Sequence, residues 1–257
     1  MQPSKRPHLR ALVPCALLLV VGGSCTQPTM NCTTAHLPYA AKYELTSGNP
    51  MSPCAQQKGD ILGMQTYFAT GGINGTAKFS DPSAAIRPQY SGLLIAEALN
   101  YPVDVPGFTG EKGVEHWPNA LGDFESGSPD GDDLCHVPQL GPATFTRPEL
   151  PAVADDPATE DDETKAVSPP TTVSYEWTDV RWLNTPDAQG TQFEADLKFT
   201  QDGCTAEYHV VAVSPAVECA ADEDCTLTGN GLNPDFAVEC ATDIGLCVLA
   251  KPIPSYE

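Results

Sequence analysis

The sequence predicts a mainly β fold with a minor helical part (α+β). Its expected pieces are an antiparallel β meander, one short helix, a disordered acidic linker and a disulfide-rich C-terminal module. Three observations predict this. Apolar residues alternate with polar ones through residues 173–213. Eight cysteines follow residue 25. The chain has 25 Pro, 21 Gly and only 7% aromatic residues, so much of it is loop around a modest core that cross-links must supplement.

The elements follow in chain order. Lys5, Arg6 and Arg10 precede an apolar run over 11–21, broken only by Pro14. This is the charge-then-apolar order of an export signal. The run is about half the roughly 20 residues needed to span a bilayer. Val21-Gly22-Gly23-Ser24-Cys25 closes it. Small residues before Cys25 suit either ordinary signal-peptidase cleavage or lipoprotein processing. The arrangement resembles a bacterial lipoprotein signal, with Gly22 where Leu is usual. That resemblance implies removal of residues 1–24, lipidation of Cys25 and a membrane anchor at the cell envelope, at the outer membrane or cell surface. Parity agrees. Cys15 leaves with the signal, and lipidation withdraws Cys25 from disulfide chemistry. The rest form an even set: Cys32, Cys54, Cys135, Cys204, Cys219, Cys225, Cys240 and Cys247.

Residues 25–31 read as a tether and 32–146 as the first structured region. Residues 61–68 read as a strand. Gly71-Gly72 and Asn74-Gly75 are turn signals. Residues 91–100 read as a helix stopped by Asn100 and Pro102. Residues 147–170 carry Asp155-Asp156 and Glu160-Asp161-Asp162-Glu163 among five prolines and no aromatic residue. Such a segment buries too little apolar surface to offset its ordering entropy, which predicts a solvated, disordered linker.

In 171–214, Val173, Tyr175 and Trp177 alternate, and Val180 and Trp182 continue on the other parity. A bulge at Thr178-Asp179 reconciles the halves. Phe193, Ala195, Leu197 and Phe199 follow, with Glu194, Asp196 and Lys198 facing out. Asp202-Gly203 is a hairpin turn signal before a third strand over 208–213. The apolar face of this meander needs a cover, which the N-terminal region is expected to supply. Three of the eight cysteines precede the linker and five follow it, so complete pairing forces a disulfide across it. Cys135 is the expected crossing residue, with Cys32 and Cys54 pairing locally. Residues 215–257 form the cysteine-rich module, whose Asp222-Glu223-Asp224-Cys225 run, together with Tyr175-Glu176-Trp177 and Asp202-Gly203-Cys204-Thr205, is similar to cysteine-rich lipoproteins of soil and predatory proteobacteria. That likeness brings no activity with it.

Charge narrows function. The formal net charge is −21, and signal removal takes three of 13 basic residues and none of 34 acids. Nucleic acid and anionic lipid surfaces are repelled. A membrane hold therefore rests on acyl chains. No hydrolase elbow, zinc helix or phosphate loop is present. Cys32 with His36, and Cys135 with His136, could be assembled into a zinc site, but an export compartment favours their oxidation. Asp130-Gly131-Asp132-Asp133 and Asp222-Glu223-Asp224 place hard oxygens on turns without EF-hand spacing. Glu115, His116, Asp123 and Glu125 form no distinctive acid/base pattern. His36 and His209 read as surface and strand-edge residues. The expectation is a non-catalytic extracytoplasmic domain without cofactor, serving binding or surface structure, with a protein or glycan partner. The alternatives are a secreted hydrolase and a calcium-dependent binding module.

Overall fold

A computed structural model describes residues 30–71, 76–106, 108, 118–155, 158 and 164–257. The export signal, Cys25, most of the tether, Asn74-Gly75, Glu115-His116-Trp117 and the acids 160–163 lie outside the described residues.

Eight antiparallel strands form one sheet: β1 (Tyr39–Ser47), β2 (Gly59–Gly71), β3 (Thr76–Pro88), β4 (Ala120–Asp123), β5 (Leu134–Arg147), β6 (Thr171–Thr185), β7 (Ala188–Gln201) and β8 (Cys204–Val213). Their spatial order is β4-β3-β2-β1-β8-β7-β6-β5. The meander of β6, β7 and β8 is as the alternation predicts. At the bulge, Thr178 opposes Asp196 and Arg181 opposes Glu194, so β6 carries one extra residue, and Asp179 takes the left-handed φ of 49°. The β7–β8 turn is Asp202-Gly203, both at positive φ, between paired Gln201 and Cys204. This is the local twist that a two-residue hairpin needs.

The N-terminal region does not lie over the meander as a separate cover. β1 pairs with β8 through Tyr43↔Val210 and continues the same sheet. The sheet then curls until its outer strands meet. A Cβ on Gly122 of β4 would lie 2.3 Å from the Gln139 carbonyl oxygen of β5, and Glu125 N–H donates to the His136 carbonyl at 2.9 Å. Closure buries the apolar face against itself, which a flat three-stranded meander cannot do. Trp177, Trp182, Phe193 and Tyr208 fill the interior, with Trp182 and Phe193 ring centres 5.1 Å apart. The helix α1 (Gln89–Leu99) follows β3 and buries Leu94, Ile95 and Ala98. Among the described residues no helix is long and apolar enough to cross a membrane.

The linker expectation fails at both ends of its span. Arg147 is 4% exposed and donates to Ser168 Oγ, Pro169 O and Thr171 Oγ1. Leu150 is 1% exposed, and the bridges Leu150↔Ser168 and Val153↔Lys165 hold the flanks antiparallel. Composition understates such a segment, because a single arginine and leucine anchor it to a core made elsewhere.

The eight cysteines pair as Cys32–Cys135, Cys54–Cys204, Cys219–Cys240 and Cys225–Cys247. One bridge does cross the linker, but it is carried by Cys54, not Cys135. Cys32 lies against the loop between β4 and β5, where its N–H donates to Gly127 O, and Cys54 and Cys135 exchange their expected roles.

After β8 the chain forms the short helix α2 (Asp222–Cys225) and the hairpin β9 (Val238–Ala241) with β10 (Leu246–Leu249). This module packs on the outside of the sheet. Phe236, Leu249 and Ile253 cover Leu183, Ala188, Val211 and Val213, while Leu246 and Val248 cover Ala40. Over β6, β7 and β8 the outer face carries ion pairs, with Lys198 on Glu176 at 3.4 Å and His209 between Glu194 and Asp196 at 3.5 and 3.4 Å.

Candidate functional site

A cavity of about 840 Å³ lies where the C-terminal module meets the sheet. One wall is the start of β2 and α1, with Gly59, Asp60, Ile61 and Gln89. The facing wall runs from Glu218 to Asp224 and from Ile244 to Leu246. Gly59 sets the spacing. A Cβ there would sit 2.2 Å from Ala41 O and 2.7 Å from Ile244 Cδ1, so only glycine lets β1, β2 and the module converge.

Asp60 has a structural duty. The residue before α1 is Pro88, which provides no side-chain cap. Asp60 supplies it from β2, accepting Tyr90 N–H on Oδ2 at 3.3 Å and Ile61 N–H on Oδ1 at 2.7 Å. These donors, with the Gln89 N–H, favour the charged form. Burial outweighs them and raises the carboxyl from its ordinary 3.8 to about 7. Behind it, the buried Tyr43 hydroxyl has no hydrogen-bond partner. Across the cleft, Asp224 Oδ2 accepts the N–H groups of Ala220 and Ala221 at 2.8 and 3.1 Å, which hold it below the usual carboxylate range. The lining thus carries Asp60, Glu218 and Asp224 and neither lysine nor arginine. It favours positive charge and contains no nucleophile paired with a base.

The sequence-predicted sites fall as follows. Cys32 and Cys135 are bonded to each other, so the sulfurs proposed for zinc share a disulfide and cannot serve as thiolate ligands. His136 Nε2 instead sits 2.9 Å from Asp130 Oδ2. Asp130 Oδ1 accepts Asp132 N–H and Leu134 N–H, and its carboxyl is held below its ordinary value chiefly by that Leu134 bond. Asp222 Oδ1 accepts Cys240 N–H at 2.8 Å. Both acidic turns therefore spend carboxylate oxygens on their own backbone. His209 is not at a strand edge, because β8 is paired on both sides. Asp123 ends β4, paired with Ser83, and Glu125 follows it into the loop.

Sequence reasoning missed Asp60, Gln192 and Glu194. Glu194 does point outward, as its alternation predicts, yet it is 5% exposed. The C-terminal strap covers it: Glu194 Oε2 accepts Ile253 N–H, and Gln192 takes both the N–H and the carbonyl of Ser255. Nothing local to 192–194 signals this, since the partners lie 59 and 63 residues away.

The family model MlpA matches residues 37–215, which includes all eight strands of the sheet. A Myxococcus xanthus protein named "Putative lipoprotein MlpA" is 30% identical over 269 residues, covering 96% of this chain and 98% of that protein. No solved structure matches.

Proposed function

The chain belongs to the MlpA family, and on that premise we propose that it is a cell-envelope lipoprotein, acylated on Cys25, whose disulfide-stabilised domain is non-catalytic and serves binding or surface structure. The observation that carries the reading is the coincidence of a lipoprotein-type signal ending in Cys25 with full-length similarity to a protein named as a lipoprotein. Four disulfides among the eight other cysteines beyond the signal suit an oxidising compartment.

The fold suits a short leash. Cys32 is fixed to Cys135, and seven peptide units link it to Cys25. Fully extended, they reach about 25 Å. The domain would stay close to its membrane, while its acidic surface keeps it from lying on anionic lipid. The cleft between sheet and module is the surface this reading assigns to binding, and its carboxylates favour a cationic partner. Detergent phase partitioning tests the anchor. The wild-type protein enters the detergent phase and Cys25→Ala the aqueous phase; an aqueous wild type expressed in a proteobacterial host would overturn the reading.

A further inference from the structure

The two disulfides of the C-terminal module are close neighbours. The sulfurs of Cys219, Cys225 and Cys247 all lie within 4.8 Å of one another, although Cys219 is bonded to Cys240 and Cys225 to Cys247. Access to the two bridges differs. Cys219 and Cys240 are half-buried, and Cys219 lines the large cleft. Cys225 and Cys247 are 3% and 0% exposed, sealed from any thiol in solution. A thiolate opens a disulfide only by reaching one of its sulfurs. From solution that route exists for the first bridge alone. For the second it exists from inside, through Cys219.

We infer that Cys219–Cys240 and Cys225–Cys247 are exchange-coupled, with Cys219 as the internal nucleophile that opens the sealed bridge. A small-molecule thiolate from solution attacks the half-buried Cys240 Sγ. The Cys219–Cys240 bond breaks, a mixed disulfide forms on Cys240, and Cys219 leaves with the electron pair as a thiolate. Cys219 then attacks Cys225 or Cys247. One S–S bond forms, the buried one breaks, and the displaced sulfur departs as a thiolate that takes a proton from water. Each step exchanges one disulfide for another, so no oxidant is required and the incoming thiol is the only reductant. The two bridges tie residues 219–225 to β9 and β10, and residues 218–220 with Asp224 form one wall of the cleft. Re-pairing moves that wall, so the cleft answers to thiols.

Two single variants test this. In Cys240→Ser, Cys219 is a free thiol beside the intact buried bridge; in Cys219→Ser, Cys240 is free instead. Each is held at about pH 8.5, where an ordinary thiol is half ionised, then alkylated and mapped without reduction. The coupling predicts that Cys240→Ser loses Cys225–Cys247 as its sole pairing and yields Cys219–Cys225 or Cys219–Cys247, whereas Cys219→Ser keeps Cys225–Cys247 alone. Native pairing with alkylated Cys219 in Cys240→Ser would overturn it. Should that variant not fold, the wild-type protein is treated with limiting dithiothreitol and quenched over time. Coupling predicts transient peptides linking Cys219 to Cys225 or Cys247, and native pairs throughout would contradict it.

Discussion

Glu194 of β7 accepts the backbone N–H of Ile253 at 2.8 Å on one carboxylate oxygen and holds Arg181 at 2.7 Å on the other. One side chain thus joins two strands and the C-terminal strap. Its neighbour Gln192, fully buried, reads Ser255 through both backbone groups. The strap is attached to β7 through side chains rather than through a strand ladder, and its other backbone bonds go to Asp235 and Ala237.

Removing Glu194 strands its partners. Glu194→Ala leaves the Ile253 N–H without its acceptor and Arg181 with Asp179 alone, at 3.5 Å, and the expected cost is about 2 kcal/mol. Glu194→Gln keeps an acceptor for Ile253 and costs about half of that. Urea unfolding of the three proteins checks the order, and limited proteolysis of Glu194→Ala is expected to clip the C-terminus first.

The cross-linker bridge should outweigh the short ones. Cys54–Cys204 spans 150 residues and Cys219–Cys240 spans 21. Chain entropy assigns them about 5 and about 3 kcal/mol. The double variant Cys54→Ala/Cys204→Ala is therefore expected to lose more stability than Cys219→Ala/Cys240→Ala, read as the difference in urea midpoints. Equal losses would mean that the closed sheet already restrains the same loop.

Asp60 gives a pH dependence of defined sign. Its carboxyl is raised from 3.8 to about 7 on folding by burial. The folded chain therefore binds this proton more tightly than the unfolded chain does. Its stabilising contribution is complete below about pH 3.8 and declines as pH rises through about 7. Asp60→Asn has no such proton. The melting-temperature advantage of the wild type over Asp60→Asn is expected to be larger at pH 5 than at pH 8, and a constant difference would contradict it. The repulsion from the large net negative charge is nearly common to both proteins and drops out of the comparison.

These residues also mark what the sequence does and does not disclose. Tyr175, Trp177, Val180 and Trp182 declare β6 and its bulge, because alternation and its break are local properties. Asp202-Gly203 declares its turn for the same reason. Closure of the sheet is not local: it depends on Gly122 coming against Gln139, and a lone glycine in a loop-rich stretch carries no such sign. The disulfide partners escape for a related reason, since cysteine counting requires a crossing but cannot say that Cys32 lies against the loop before β5. Of the site, the acids at 222–224 are visible in sequence as a run. Asp60 is visible only once α1, with Pro88 as its uncapped start, is placed beside β2.

Metabolic labelling measures the anchor at Cys25 directly. Cells producing the wild-type protein or Cys25→Ala are fed an alkynyl fatty acid, and the purified proteins are coupled to a fluorophore. A lipid anchor at Cys25 predicts a labelled wild type whose N-terminal peptide begins at Cys25 and carries acyl mass, with an unlabelled Cys25→Ala. An unlabelled wild type released into the medium, with an unmodified N-terminus, would contradict it.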